Sequence, residues 1–344
     1  MSVVTDMNAV RPPVLVTRRL PEEALERVAA RCDMTLYDGD NAMPRTALLE
    51  QVAGKAGAIT LLTDRVDDEF LDAAGSQLMI VANYAVGFDN IDVAACTRRG
   101  VLASNTPEVL TETTADTAFA LMMAASRRIA EGDRFLRSRV PWIWGPLMML
   151  GQDIHHKTLG VVGFGRIGQA LARRARGFSM RVVYHDTFRP PAEVERELEA
   201  EYADLDELLR VSDFVSLHTN LTRETRHLIN AERLAGMKPT AVLVNTSRGP
   251  VIDEEALAAA LSDGQIFAAG IDVFEREPEV HPALLACENA VLIPHLGSAT
   301  VQTRLDMANL AADNLFAALD NQRPPTLLNP KVWEQGQRSG ASRA

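Results

Sequence analysis

Short apolar runs alternate with amphipathic stretches along almost the whole chain. Val14–Val16, Ala58–Leu62 and Leu78–Ala82 read as strands, and Pro21–Ala30 reads as a helix with proline in its first turn. This rhythm predicts βαβ units and a parallel sheet. Thr111–Ser126 opens with Thr and Glu and loses almost every polar residue after Asp116, which predicts a deeply buried helix. A second series of strands follows at Leu159–Val162, Arg181–Tyr184, Asp213–Leu217, Ala241–Asn245, Ala268–Ile271 and Ala290–Ile293. Helical patterns separate most of them, Glu254–Leu261 among these, and an amphipathic stretch runs from Thr300 to about Leu319. A proline-containing polar tail closes the chain, and no repeat of solenoid period is present.

Composition narrows the class. A chain of 344 residues suggests two domains, and 47% hydrophobic with 24% charged residues is the balance of a globular protein. Lys and Arg number 35 against 46 acids, a formal charge of −11, so nucleic acid and anionic membranes are poor partners. The longest apolar run, near Phe119–Ala125, is far too short to span a bilayer. The start, MSVVTDMNAV, lacks the pattern of a signal peptide. Cys32, Cys96 and Cys287 are odd in number and widely spaced, which argues against disulfides and zinc and for a reducing, cytoplasmic setting.

Arg139–Gly151 (RVPWIWGPLMMLG) breaks the rhythm, with two of the three tryptophans and no helical period. It reads either as an apolar loop packed on its own domain or as an arm that meets a partner subunit.

The strand Leu159–Val162 runs directly into Gly163-Phe164-Gly165-Arg166-Ile167-Gly168, which opens a helix. Glycines at this spacing permit a tight turn, close approach of a pyrophosphate to the backbone, and close helix–strand packing. The helix N-terminus then offers unpaired N–H groups to phosphate. Asp186, at the end of the next strand, is placed to accept hydrogen bonds from an adenosine ribose and to repel a 2′-phosphate. Arg189, three residues on, works against strict selectivity for NAD. Because the glycine loop begins only at residue 163, the first hundred residues form a separate α/β unit. The stretch after Ala103 and the segment near His295–Thr300 are the expected hinges, with a ligand bound between the units at the carboxyl ends of their strands.

Three ionisable residues fall at strand ends of the second series: Arg248 in VLVNTSRGP, Glu277 in GIDVFEREP and His295 in VLIPHLGSAT. A guanidinium forks onto a carboxylate, and a histidine exchanges a proton near neutrality, supported by a carboxylate beside it. Together they suit reduction of a 2-oxo acid without a metal. His155-His156 and His281 read as loop residues, and Arg127-Arg128 and Arg173-Arg174 as solvated helix faces.

These motifs carry a resemblance. YAVGFDNID at 84–92, GVVGFGRIGQ at 160–169, LVNTSRGPVIDEEAL at 243–257, AAGIDVFEREP at 268–278 and PHLGSAT at 294–300 resemble the D-isomer-specific 2-hydroxyacid dehydrogenases, in order and spacing, over roughly residues 14–330. The resemblance implies an α/β fold of two Rossmann-like domains. A cofactor domain at 106–298 is inserted into a flavodoxin-like substrate domain made of 1–105 and 299–344. It implies catalysis by Arg248, Glu277 and His295, and substrate binding by Ala85, Val86, Gly87 and Arg248. The implied cofactor contacts are Gly163, Gly165, Arg166, Ile167, Gly168, Asp186, His218, Thr219, Thr246, Ser247, Asp272, His295 and Gly297.

Within the family the likeness is closest to glyoxylate/hydroxypyruvate reductases, through PHLGSAT and the tryptophan-containing loop. That implies a homodimer in which Trp144 reaches the partner's substrate site, whereas Asp186 itself points to NAD(H) preferred, with NADP(H) possible. The alternatives are a D-lactate or D-3-phosphoglycerate dehydrogenase, or a nucleotide-sensing corepressor that keeps the fold. Glu277 stands where formate dehydrogenases have Gln. Asn220 replaces a common proline, and Asp186 departs from the NADPH-preferring reductases.

Overall fold

The computed structural model describes residues 11–39 and 41–341 of the chain. They form two compact units, one running to Leu110 and resuming at Thr300, the other Thr111–Ala299. Both are built on wholly parallel sheets.

The first unit carries β1 (Pro13–Val16), β2 (Asp33–Leu36), β3 (Gly57–Thr60), β4 (Ile80–Asn83) and β5 (Leu102–Ser104), in the spatial order β2-β1-β3-β4-β5. This is the flavodoxin-like order. The central strands β3 and β4 are buried at every position, as expected where helices cover both faces. Leu15, Leu48, Phe70, Val81 and Cys96 belong to one core cluster of this unit. Asp67 and Asp92 cap the helices Asp68–Ala74 and Val93–Arg98 by accepting from Phe70 and Ala95 N–H, each cap worth about 1 kcal/mol. The long helix Val301–Leu319, capped by Thr300, completes this unit.

The second unit carries β6 (Thr158–Val162), β7 (Arg181–His185), β8 (Ala200–Tyr202), β9 (Phe214–Leu217), β10 (Val242–Asn245), β11 (Ala268–Ile271) and β12 (Ala290–Leu292). Their order is β12-β11-β10-β9-β6-β7-β8, the Rossmann order with one strand added. Two apolar clusters, one holding Leu243 and Ile271 and the other Leu159, Tyr184 and Val244, form its core. The helix Thr111–Ser126 is buried along Ala115, Ala118, Phe119, Leu121, Met122 and Ala125, as its composition predicts.

Register sets up the site. Val162 pairs with both His185 and Leu217, and Asn245 pairs with both Leu217 and Ile271. The carboxyl ends of five strands therefore stand in one row. The residues that follow them are Gly163, Asp186, His218, Thr246 and Asp272, five of the expected cofactor residues.

Several boundaries differ from the sequence reading. Asp33–Leu36, Leu102–Ser104 and Ala200–Tyr202 are strands that the apolar pattern omits. The polar tail holds a helix at Pro330–Ala341. Arg174 is no solvated arginine: it pairs with Glu112 and Asp116 and joins the helices Thr111–Ser126 and Arg166–Arg176.

Candidate active site

The turn after β6 is built by glycine where side chains have no room. Gly163 has φ +90°, and a Cβ there would lie 2.7 Å from the His218 backbone. A Cβ on Gly168 would lie 2.3 Å from the Gly163 carbonyl oxygen, so the helix Arg166–Arg176 seats directly on the turn. Gly165 differs, since a Cβ there meets nothing within 4 Å. Protein packing does not require that glycine, and its absent side chain leaves the backbone there open to a ligand. Phe164 is buried and stacks on Tyr184 at 4.2 Å, which anchors the turn to β7.

Asp186 closes the turn from the neighbouring strand. Its Oδ2 accepts from Phe164 N–H at 2.6 Å and its Oδ1 from Phe188 N–H at 3.2 Å. Arg189 is held by Glu195 at 2.8 Å, and its guanidinium lies 5.1 Å from the Tyr202 ring centre. Further along the row, the Oγ1 atoms of Thr219 and Thr246 are buried and lack a hydrogen-bond partner among the described residues. Orphaned hydroxyls are costly unless a ligand completes them. An open cradle at Gly165, a helix N-terminus without a side-chain cap and two orphaned hydroxyls together fit a dinucleotide. Arg166 is exposed and Ile167 half-buried at the start of that helix. Burial pushes the His218 imidazole down to about 4, so it is neutral at pH 7 and shares a hydrogen bond with Ser216 Oγ at 2.9 Å.

The ionisable groups lie on loops after β10, β11 and β12. Asn245 shapes the first: its Oδ1 accepts from Ser247 N–H and Oγ–H, and its Nδ2 donates to the Arg248 carbonyl at 2.9 Å. A Cβ on Gly249 would lie 1.9 Å from the Phe274 carbonyl carbon, so the Arg248 loop and the Phe274–Glu277 loop touch backbone to backbone. Glu254 and Glu275 add reciprocal bonds, each carboxylate accepting from the other's N–H at 2.6 and 3.1 Å.

His295 Nδ1 lies 2.9 Å from Glu277 Oε2, while Glu277 Oε1 accepts from Phe274 N–H at 3.0 Å. Burial raises the Glu277 carboxyl, but the hydrogen bond and charge of His295, the Phe274 amide and Arg248 outweigh it and hold the group below its ordinary value. Glu277 is thus an anion, and the nitrogen facing it carries a proton. His295 has φ +53°, a left-handed conformation costly for a non-glycine residue and concentrated at functional sites. Asp272 enforces it, with both oxygens accepting from Leu296 and Gly297 N–H at 2.5 and 2.8 Å. Expected as a cofactor contact, Asp272 clamps the histidine loop here.

Residues 119–297 match the family described as D-isomer specific 2-hydroxyacid dehydrogenase, NAD binding domain. The glyoxylate reductase of Thermococcus onnurineus is 50% identical over 327 residues, 94% of this chain and 97% of that protein. The chain belongs to the D-isomer specific 2-hydroxyacid dehydrogenase family. The glyoxylate reductase of Pyrococcus furiosus is 48% identical, over 94% of this dehydrogenase and 96% of its own length. A crystal structure of a protein from Thermus thermophilus superposes with a TM-score of 0.86 at 45% identity, covering 92% of this chain and 99% of that one. An NADPH-dependent glyoxylate/hydroxypyruvate reductase from Sinorhizobium meliloti, solved with NADP and malonate, gives 0.80 at 33% identity over 92% and 97%. The dehydrogenase is therefore an NAD(P)-dependent oxidoreductase.

Sequence reasoning passed over Asn83, Asn105 and Asn245, which tie loops rather than touch ligands. Each stands at the carboxyl end of a strand, in IVAN, LASN and VLVN, and that is the available signal.

Proposed function

We propose that this dehydrogenase reduces a small 2-oxo acid, glyoxylate or hydroxypyruvate, with NADH. The observation that carries the proposal is the His295–Glu277 pair at 2.9 Å, on loops of the same unit as the glycine turn and Arg248. When bound, the nicotinamide cofactor supplies a hydride to the carbonyl carbon. His295 holds one proton on Nδ1 toward Glu277 and gives the other, from Nε2, to the carbonyl oxygen. Glu277 fixes the orientation of the imidazole. Arg248 binds the substrate carboxylate, together with the backbone of Ala85, Val86 and Gly87. Thr219, Thr246, Ser247 and the helix N-terminus at Arg166–Gly168 hold the cofactor, and His218 and Gly297 border it.

Preference for NADH follows from Asp186, a half-buried carboxylate at the end of β7, while Arg189 is engaged by Glu195 and Tyr202. The arm at 139–151 supports a homodimer: Ile143 is 93%, Trp144 75% and Leu147 80% exposed. Side chains this apolar pack against a second copy, with Trp144 serving the partner's site.

The test is NADH oxidation with a panel of 2-oxo acids, alongside sedimentation. The highest kcat/KM is expected for glyoxylate or hydroxypyruvate, with NADPH poorer, in a dimer that Trp144→Ala leaves with a raised KM. NADH binding without turnover of any 2-oxo acid would overturn the proposal in favour of nucleotide sensing.

A further inference from the structure

In the first unit, three successive carbonyls of one loop are tied back to the sheet. The Ala85 carbonyl accepts from Thr106 N–H at 2.8 Å, that of Val86 from Asn105 Nδ2 at 2.8 Å, and that of Gly87 from Asn83 Nδ2 at 3.0 Å. In a trans peptide the N–H of the next residue points opposite to the carbonyl. Pinning these three oxygens therefore turns the N–H groups of Val86, Gly87 and Phe88 away from the sheet. None of the three has an acceptor among the described residues. Val86 and Gly87 are partly exposed and Phe88 is exposed, so these amides reach the surface as a row of donors without any cationic side chain.

The pins share one origin. Ala82 pairs with Ser104 in register, which places Asn83 at the end of β4 beside Asn105 just beyond β5. Asn83 is fully buried and exchanges amide bonds with Asn90, whose Nδ2 also donates to the Leu61 and Asp64 carbonyls at 3.0 Å. Asn105 is fixed in turn by Thr326, whose hydroxyl donates to the Asn105 carbonyl at 2.6 Å, while Thr326 N–H donates to Asn314 Oδ1.

We infer that Asn105 and Asn83 are positioning residues for substrate recognition, aiming the 86–88 amides at the carboxylate of the 2-oxo acid. The inference rests on the reading that this loop binds the carboxylate, and deepens it. It explains how a chain of net charge −11 draws anion contacts from residues 84–88, which carry no charged side chain of their own. The asparagines supply orientation, and the backbone supplies the contact.

Oxalate serves as the carboxylate probe, read by amide resonances of the NADH-bound enzyme, beside glyoxylate kinetics. The wild-type Val86, Gly87 and Phe88 amides should shift on oxalate addition. Asn105→Ala should raise the glyoxylate KM and the oxalate Kd about ten-fold, the loss of one well-made hydrogen bond, with kcat and NADH affinity unchanged. Asn105→His, which keeps a ring N–H near the Nδ2 position, should restore most of it. Thr326→Val, which removes the brace on the Asn105 carbonyl together with the acceptor of Asn314 Nδ2 and leaves the Asn105 side chain in place, should give a smaller rise and stands in if the alanine variant does not fold. Wild-type amides that ignore oxalate would sink the carboxylate reading itself. Shifting amides together with a normal KM in both Asn105→Ala and Thr326→Val would leave that reading and overturn the positioning role.

Discussion

Two loops of this dehydrogenase present backbone amides at the carboxyl ends of parallel strands, and they are made by opposite means. The turn at 163–168 is shaped by what its residues lack: Gly163 takes φ +90° and Gly168 lets the turn's carbonyl approach to where a Cβ would be. Its geometry is written inside six consecutive residues. The loop at 84–88 contains one glycine and is shaped from outside, by Thr106, Asn105 and Asn83, through bonds to its carbonyls. A local device depends on steric permission, whereas a braced one depends on distant donors.

Substitutions separate the two devices, the severest first. Gly163→Ala forces a side chain into positive φ and against the His218 backbone, so it should cost about 2–4 kcal/mol and remove nucleotide binding. Thermal melting and NADH titration would show this. Asp186→Ser removes the acceptor of Phe164 N–H and the proposed ribose partner. It should weaken NADH about ten-fold while NADPH changes little, which the ratio of kcat/KM values reads directly. Gly165→Ala meets no protein atom, so the melting temperature should stay put while NADH affinity falls about five-fold. A change in both, or in neither, would mean that the second glycine serves folding or nothing.

A change confined to acid pH belongs to His218. With its folded value near 4, the unfolded chain binds more protons between about pH 6.5 and 4, so stability falls as pH drops through that window. The slope from this one group is at most about 1.4 kcal/mol per pH unit. His218→Asn should flatten the acid limb of a pH–melting curve by that amount.

The same contrast explains what could be read from the sequence. The central strands announced themselves, because β3, β4, β9, β10 and β11 are buried on both faces and read as largely apolar runs. The three omitted strands, β2, β5 and β8, all lie at sheet edges, with three or four residues such as DMTL, LAS and AEY. Edges need no continuous apolar run. Likewise the glycine turn and the Arg248, Glu277 and His295 loops are local motifs at strand ends. The asparagine braces were not legible because Asn105 and Val86 meet only through the register of β4 and β5. The role of Asp272 on the histidine loop was not legible either, because Leu296 and Gly297 lie more than twenty residues away along the chain.

The central claim is that the imidazole resting on Glu277 delivers the proton. His295→Gln, assayed for glyoxylate turnover and for NADH affinity together, tests it most directly. The account predicts kcat reduced by about 10²–10⁴-fold with the NADH dissociation constant unchanged. Near-normal turnover in a variant that still binds NADH would contradict it.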